Sequence, residues 1–438
     1  MRKVILTLGL IFGLLAALGG PLLGLILGLM IWLGRQQARV SVLQGATLAS
    51  AVAVLGLGLG LMLAVTSWRA RSGQPGLAFG LRRPGWWLIA FVVVWAMGWL
   101  TFRAGITPLM PAIHLATGAL PALFFLALAV DAARRRGGQV AARPAMGSLA
   151  WGGLAGTGIG ILLEATLLLI AGILAAFWLA ATNPDLLGRL QSLALQAQGT
   201  GRPANLDALA PLITSPLMVA GALGVVGFLV PLIEEVAKSL ALPLVILTGR
   251  RLTRLDGFLL GVASGAGFAL VEGILNGSLA LGAPATWGAA MLVRGGTAAI
   301  HCLAAGLAGL GWQVVLSTGR NDRGSTPMAG EPTSSLRGDR VPTSSPRRWA
   351  EGFGLLSLAV AIHGAWNAAA GVQVFVSIQG IAAGGASSPP FLFVTVSVLT
   401  FMGILWLGAV LGLVLIPRRL ADQQNGARMQ RIGPPDVR

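Results

Sequence analysis

The chain has 438 residues, of which 55% are hydrophobic and only 10% charged, against about a quarter charged in soluble domains; that balance excludes a soluble globular protein. The net charge of +17, from 31 Lys+Arg against 14 Asp+Glu, falls in short clusters between apolar runs and not on one face of a folded domain, which argues against a nucleic-acid partner and reads as a topology signal. The one cysteine, Cys302, excludes an intrachain disulfide, and its apolar surroundings argue against a thiolate metal site.

Taking about 20 apolar residues per membrane crossing, the sequence predicts an all-α, polytopic transmembrane bundle. Its ten spans are expected at 8–34, 40–67, 85–102, 105–130, 148–181, 213–248, 257–281, 287–316, 352–380 and 391–416. The first follows Arg2-Lys3 like a secretory leader with a weak cleavage site at Leu15-Ala16-Ala17. Because the apolar run continues past Pro21 to Gly34, it is read as an uncleaved span tilted or kinked at the proline. With no tyrosine in the chain, the interfacial belt must come from tryptophan, and Trp32, Trp68, Trp86, Trp87, Trp151, Trp287, Trp312 and Trp349 lie near span ends. Spans 148–181 and 213–248 are long enough that they must tilt, bend or carry an extramembrane turn.

Arginine-rich connections set the orientation. The stretch 69–83, Arg134 to Arg136 with Arg143, Arg250-Arg251 with Arg254, the segment 320–348 and the tail from Arg418 all fall on one side, which predicts cytoplasmic N- and C-termini in a cell membrane. The expected organisation is a five-span N-terminal extension (1–181), an extracytoplasmic loop with amphipathic leucine spacing (182–212), the first part of a second membrane bundle (213–317), a disordered basic cytoplasmic linker (318–350), the rest of that bundle (351–417) and a basic cytoplasmic tail (418–438).

The informative residues are the ionisable ones inside the spans, since a charge at mid-membrane costs between roughly 3 and 15 kcal/mol and is retained for use. Span six carries Glu234, Glu235 and Lys238; span seven Glu272; span eight Arg294 and His301; span nine His363. At 1.5 Å per residue from the basic end of each helix, Glu235, Glu272, His301 and His363 lie about 22, 24, 25 and 18 Å deep. Four helices therefore deliver polar groups to one layer, toward the outer half of the bilayer. Glu234 and Lys238, four apart, are expected to pair while Glu235 points elsewhere around the helix. Asn276 and Asn367 lie one turn beyond Glu272 and His363, and Gly261, Gly265 and Gly267 permit close helix approach. Arg294 lies about 10 Å nearer the outer face than His301 and is read as reaching for headgroups or an outer carboxylate. Glu164 is an accessory candidate and His114 a packing residue.

Carboxylates and imidazoles at one depth supply what peptide hydrolysis needs: a base for water and a donor for the oxyanion. In one version Glu235, sharing a proton with Glu234, activates water while His301 or His363 donates to the oxyanion. In the other, His301, His363 and Glu272 bind zinc and Glu235 is the base. Buried acids serve proton-coupled transporters and lipid flippases too, and a bundle of this kind can act as a non-catalytic scaffold. There is no H-E-x-x-H motif.

The ordered set Pro231-Leu-Ile-Glu-Glu-Val-Ala-Lys238, Asp256-Gly257 with Gly261 and Gly265, Gly267-Phe268-Ala-Leu-Val-Glu272 with Asn276, then His301 and His363, resembles the PrsW family of intramembrane proteases, within the wider superfamily of CAAX prenyl endopeptidases and Abi-type membrane proteases. The resemblance covers about residues 213–375. It departs where the family often has Asn after the second-helix Glu and this chain has Gly273. It implies proteolysis of a membrane-spanning protein, such as an anti-sigma factor, with Glu234, Glu235, Glu272, His301 and His363 at the matched positions and Lys238, Asn276 and Asn367 in support. The family is described as metalloproteases, whereas superfamily relatives resemble metal-free Glu/His enzymes, so zinc and metal-free versions both stand.

Overall fold

The computed structural model describes residues 1–34, 42–75, 81, 83–140, 142–199, 216–282, 284–316, 346–382 and 389–432. Among these residues the regular structure is all helical, and ten helices are long and apolar enough to cross a membrane. In chain order the helices are α1 (Arg2–Leu33), α2 (Val42–Arg71), α3 (Pro84–Arg103), α4 (Met110–Arg134), α5 (Ala142–Trp151) running into α6 (Thr157–Thr182), α7 (Pro184–Gly199), which is not one of the ten, α8 (Pro216–Gly224) running into α9 (Val230–Ser239) and α10 (Ala241–Leu247), α11 (Arg254–Gly277), α12 (Pro284–Leu316), α13 (Pro346–Ala382) and α14 (Pro389–Ile432).

The two overlong spans share one irregularity. A π-turn at Gly152–Gly156 joins α5 to α6, and another at Val225–Leu229 joins α8 to α9. Such a turn inserts an extra residue into the helical ladder and re-aims the helix beyond it, often at functional sites. The first span is one continuous helix with Pro21 inside it. Two segment boundaries need correction. Residues 346–350, expected in the disordered linker, begin α13, while 317–345 lie outside the described residues. The expected tail continues as α14 to Ile432: no proline follows Pro417 in the helix, and the Asn425-Gly426 pair does not end it. Of the expected loop 182–212, residues 184–199 form α7, and 200–215 lie outside the described residues.

The basic helix ends gather on one face. Arg2 Nη2 donates to Ala70 O at 3.3 Å, Arg143 bonds Gln74 O, Arg254 pairs with Glu351, Gln313 Nε2 donates to Leu252 O at 3.0 Å, and Asn425 Nδ2 donates to Arg136 O at 2.6 Å. Those bonds tie the ends of α1, α2, α4, α5, α11, α12, α13 and α14 together. At this face a capping box starts α11: Thr253 Oγ1 accepts from Asp256 N, and Asp256 Oδ2 accepts from Thr253 N.

Helix α11 is the axis of the bundle, buried on nearly every side from Leu255 to Ile274, as expected of a helix apolar all round. One continuous core packs Phe125, Leu126 and Val130 of α4 and Leu149 of α5 with Phe258, Leu259 and Val262 of α11, Ile300 and Leu303 of α12, and Leu413 of α14. The core thus joins helices from both sides of residue 181. The tryptophan belt is narrower than expected. Trp32, Trp68, Trp86 and Trp349 are exposed, but Trp287 is fully buried and donates to His114 Nδ1 at 3.1 Å. Trp151 and Trp312 donate to Ala237 O and Ser239 Oγ, tying α5 and α12 to α9.

Candidate active site

Three contacts fix where α9 presents its charges. Ser264 Oγ of α11 donates to Lys238 O at 2.7 Å, beside the two tryptophan bonds just described, so the end of α9 is held from α5, α11 and α12. Two glycines set the other walls. A Cβ on Gly265 would lie 2.4 Å from His301 O, so α11 and α12 touch through bare backbone at the histidine. A Cβ on Gly364 would lie 2.0 Å from Gly227 O, which seats α13 against the π-turn beside His363.

Lys238 is the hub. Its fully buried ammonium donates to Glu234 Oε2 at 3.0 Å, Glu235 Oε1 at 2.9 Å and His301 Nδ1 at 2.9 Å, and it lies 3.8 Å from the centroid of the Phe268 ring. This corrects the expectation that only Glu234 pairs with it: Lys238 is i+4 from Glu234 and i+3 from Glu235, and both spacings bring side chains together on a helix. Three donors thus meet three acceptors, the condition under which a buried charge is tolerated.

The ammonium also settles the protons of the imidazoles. Lys238 has no lone pair to offer, so His301 Nδ1 accepts, and the ring proton sits on Nε2, 2.5 Å from Glu272 Oε2. That pair is close but outside the angular range of a straight hydrogen bond, leaving the N–H turned partly away. His363 Nδ1 lies 2.9 Å from Glu235 Oε1, the same oxygen that faces the lysine, and therefore donates to it. His363 Nε2 is then an acceptor; it sits 3.6 Å from Glu234 Oε2 and has no hydrogen-bond partner. Glu235 Oε2 is likewise buried without a partner. The two imidazole rings meet edge to face with centroids 4.6 Å apart.

Glu272 stands beside this group. Its Oε1 accepts from Asn276 Nδ2 at 2.8 Å and pairs with Arg294 Nη2, so Arg294 reaches inward to the site and not to headgroups. Glu164 of α6 lies beside Glu234, the two side chains both approaching Gly160. His114 is a packing residue, with Nε2 2.9 Å from Ile274 O. Asn367 is half-buried one turn beyond His363, and no hydrogen bond joins it to the cluster. Exposure rises along one direction: Glu235, Lys238, His301 and His363 are closed off, the Glu272 and Arg294 side chains are 19% and 23% exposed, and Asn276 is exposed. The cluster is thus least covered toward the C-terminal end of α11.

The ligand types suit a metal ion. Ligand atoms of Glu234, Glu235, His301 and His363, one from each residue, lie within 4.8 Å of one another, and two carboxylates with two imidazoles form a donor set for zinc. Glu272, expected in that set with the two histidines, is not part of it; Arg294 and Asn276 hold it to one side. Lys238 Nζ contacts three of the four ligand residues, so a metal ion held by them would lie close to the ammonium and the two cations would oppose each other.

A family model described as PrsW family intramembrane metalloprotease matches residues 205–403, the span that contains every member of this cluster except Glu164. No curated protein and no solved structure matches the chain. The matched segment, with its acids and imidazoles converging from α9, α11, α12 and α13 of a multi-pass membrane protein, belongs to the PrsW family, and the chain is an intramembrane endopeptidase.

Proposed function

We propose that the enzyme hydrolyses a peptide bond near the extracytoplasmic end of a single-span membrane protein, such as an anti-sigma factor, using water activated by Glu235. The observation that carries this reading is the pair of buried, partnerless acceptors, Glu235 Oε2 and His363 Nε2, beside a path of rising exposure. A water between them has an acceptor for each hydrogen. As its oxygen attacks the scissile carbonyl, Glu235 Oε2 takes the proton, while Lys238 and His363 Nδ1 hold the other carboxylate oxygen. The His301 Nε2–H, turned partly away from Glu272, donates to the developing oxyanion. Collapse of the tetrahedral intermediate breaks the C–N bond, and the proton held by Glu235 passes to the leaving amine. Glu272, fixed by Arg294 and Asn276, orients His301.

Zinc bound by Glu234, Glu235, His301 and His363 would polarise the carbonyl and acidify the water. We place both termini in the cytoplasm of a cell membrane, on the side of the joined arginine-rich helix ends. The test is a proteoliposome assay with a single-span reporter. The wild-type chain should cut it and His363→Ala should not; cleavage by His363→Ala removes the assignment. A chelator arm and a zinc arm decide metal dependence.

A further inference from the structure

Away from the site, at the basic face, α1, α2, α5 and α10 enclose a cavity of about 550 Å³, within the roughly 300–1,000 Å³ of sites for small ligands. Its lining divides into two parts. Arg2, Arg143 and Arg250 come from three separate helix ends, whereas Leu8, Phe12, Leu63, Leu244 and Val245 form an apolar trough running from them toward the bundle middle. Leu8 and Phe12 are exposed, so the trough opens sideways on the outer surface of α1, where a bilayer would lie. Two polar atoms in the lining are buried without a partner, Arg143 Nε and Ser148 Oγ; Ser148 is 1% exposed. A buried donor left unmade costs about 1–3 kcal/mol, so both atoms point to a ligand that carries acceptor oxygens.

We propose that this cavity is a binding site for an anionic phospholipid. The phosphate sits among Arg2, Arg143 and Arg250 and accepts from Arg143 Nε and Ser148 Oγ, and an acyl chain follows the trough between α1 and α10. Charge selects the occupant: clustered basic residues between transmembrane helices favour anionic headgroups, at about 1 kcal/mol per basic residue. Trp151 borders the cavity and also bonds Ala237 O, next to Lys238, so the lipid abuts the helix that carries the hub of the active site.

Native mass spectrometry of the full chain in neutral detergent tests this, titrating phosphatidylglycerol, phosphatidylcholine and glycerol phosphate. One tightly bound phosphatidylglycerol is expected, and each neutralised arginine should weaken it about fivefold. Arg143→Gln and Arg250→Gln therefore weaken retention, while Arg71→Gln, at the same face but outside the lining, does not. Gly147→Leu provides a second variant, because a Cβ there meets only Thr66 Oγ1 at 3.9 Å and a longer side chain enters the trough without touching an arginine; it too should expel the lipid. Equal retention of phosphatidylcholine, binding of glycerol phosphate as strong as that of the lipid, or phosphatidylglycerol retention unchanged in both Arg143→Gln and Gly147→Leu would each overturn the assignment. None of these readouts depends on proteolysis.

Discussion

Replacing Lys238 with Met removes the ammonium and keeps most of the stem that packs on the Phe268 ring. The loss is then almost wholly electrostatic. Three hydrogen bonds, to Glu234, Glu235 and His301, disappear together in a fully buried place. Breaking a buried ion pair from one side costs about 3–5 kcal/mol, because the partner charge is left uncompensated. With two carboxylates facing this lysine, the top of that range is expected. Adding Glu234→Gln removes one uncompensated charge and should return about 1–3 kcal/mol, so the two substitutions should be strongly non-additive. Reversible unfolding in mixed micelles, followed by tryptophan fluorescence for the wild type, both single variants and the double variant, measures the cycle. A Lys238→Met chain within about 1 kcal/mol of wild type, together with additive effects, would refute the hub reading.

Other consequences are as direct. Lys238→Met should bind zinc more tightly than the wild type, measured as metal retained after dialysis, since the opposing cation is gone; equal or weaker retention contradicts the opposition. Arg294→Gln should lower reporter cleavage roughly tenfold or more with little loss of stability, by freeing Glu272 and with it His301, whereas a lipid-facing arginine would leave the rate unchanged. Gly364→Val should push α13 off the π-turn and abolish cleavage, read beside a folding control by gel filtration. A chain starting near residue 205 should aggregate, because the α4 and α5 surface that covers α11 is missing; a monodisperse, active fragment would show that the first spans are dispensable.

The spans and the shared depth of the acids and histidines were legible in the sequence for one reason: bilayer thickness and helical rise turn residue numbers into distances. Glu234, Glu235, Glu272, His301 and His363 fall at one level by arithmetic alone, and the structure brings their side chains into contact. What the arithmetic missed lies in side-chain reach. Arg294 has its Cα well beyond the acid layer, but its long stem folds back to Glu272. Lys238 was placed against one carboxylate although its reach serves both. The π-turns have no sequence signature beyond runs of small and apolar residues, and the one at Val225–Leu229 leads directly into the Glu-Glu-Lys helix. Trp287 sits near a span end, where a belt residue belongs, and only tertiary packing on Phe102 and His114 draws it inside.

The most direct measurement is the cleavage rate of Glu235→Gln against wild type in the same proteoliposomes, with gel filtration to confirm that both chains are folded. A base acting on water predicts a fall of about 10²–10⁴-fold. A folded Glu235→Gln chain that cuts the reporter at the wild-type rate would contradict the account.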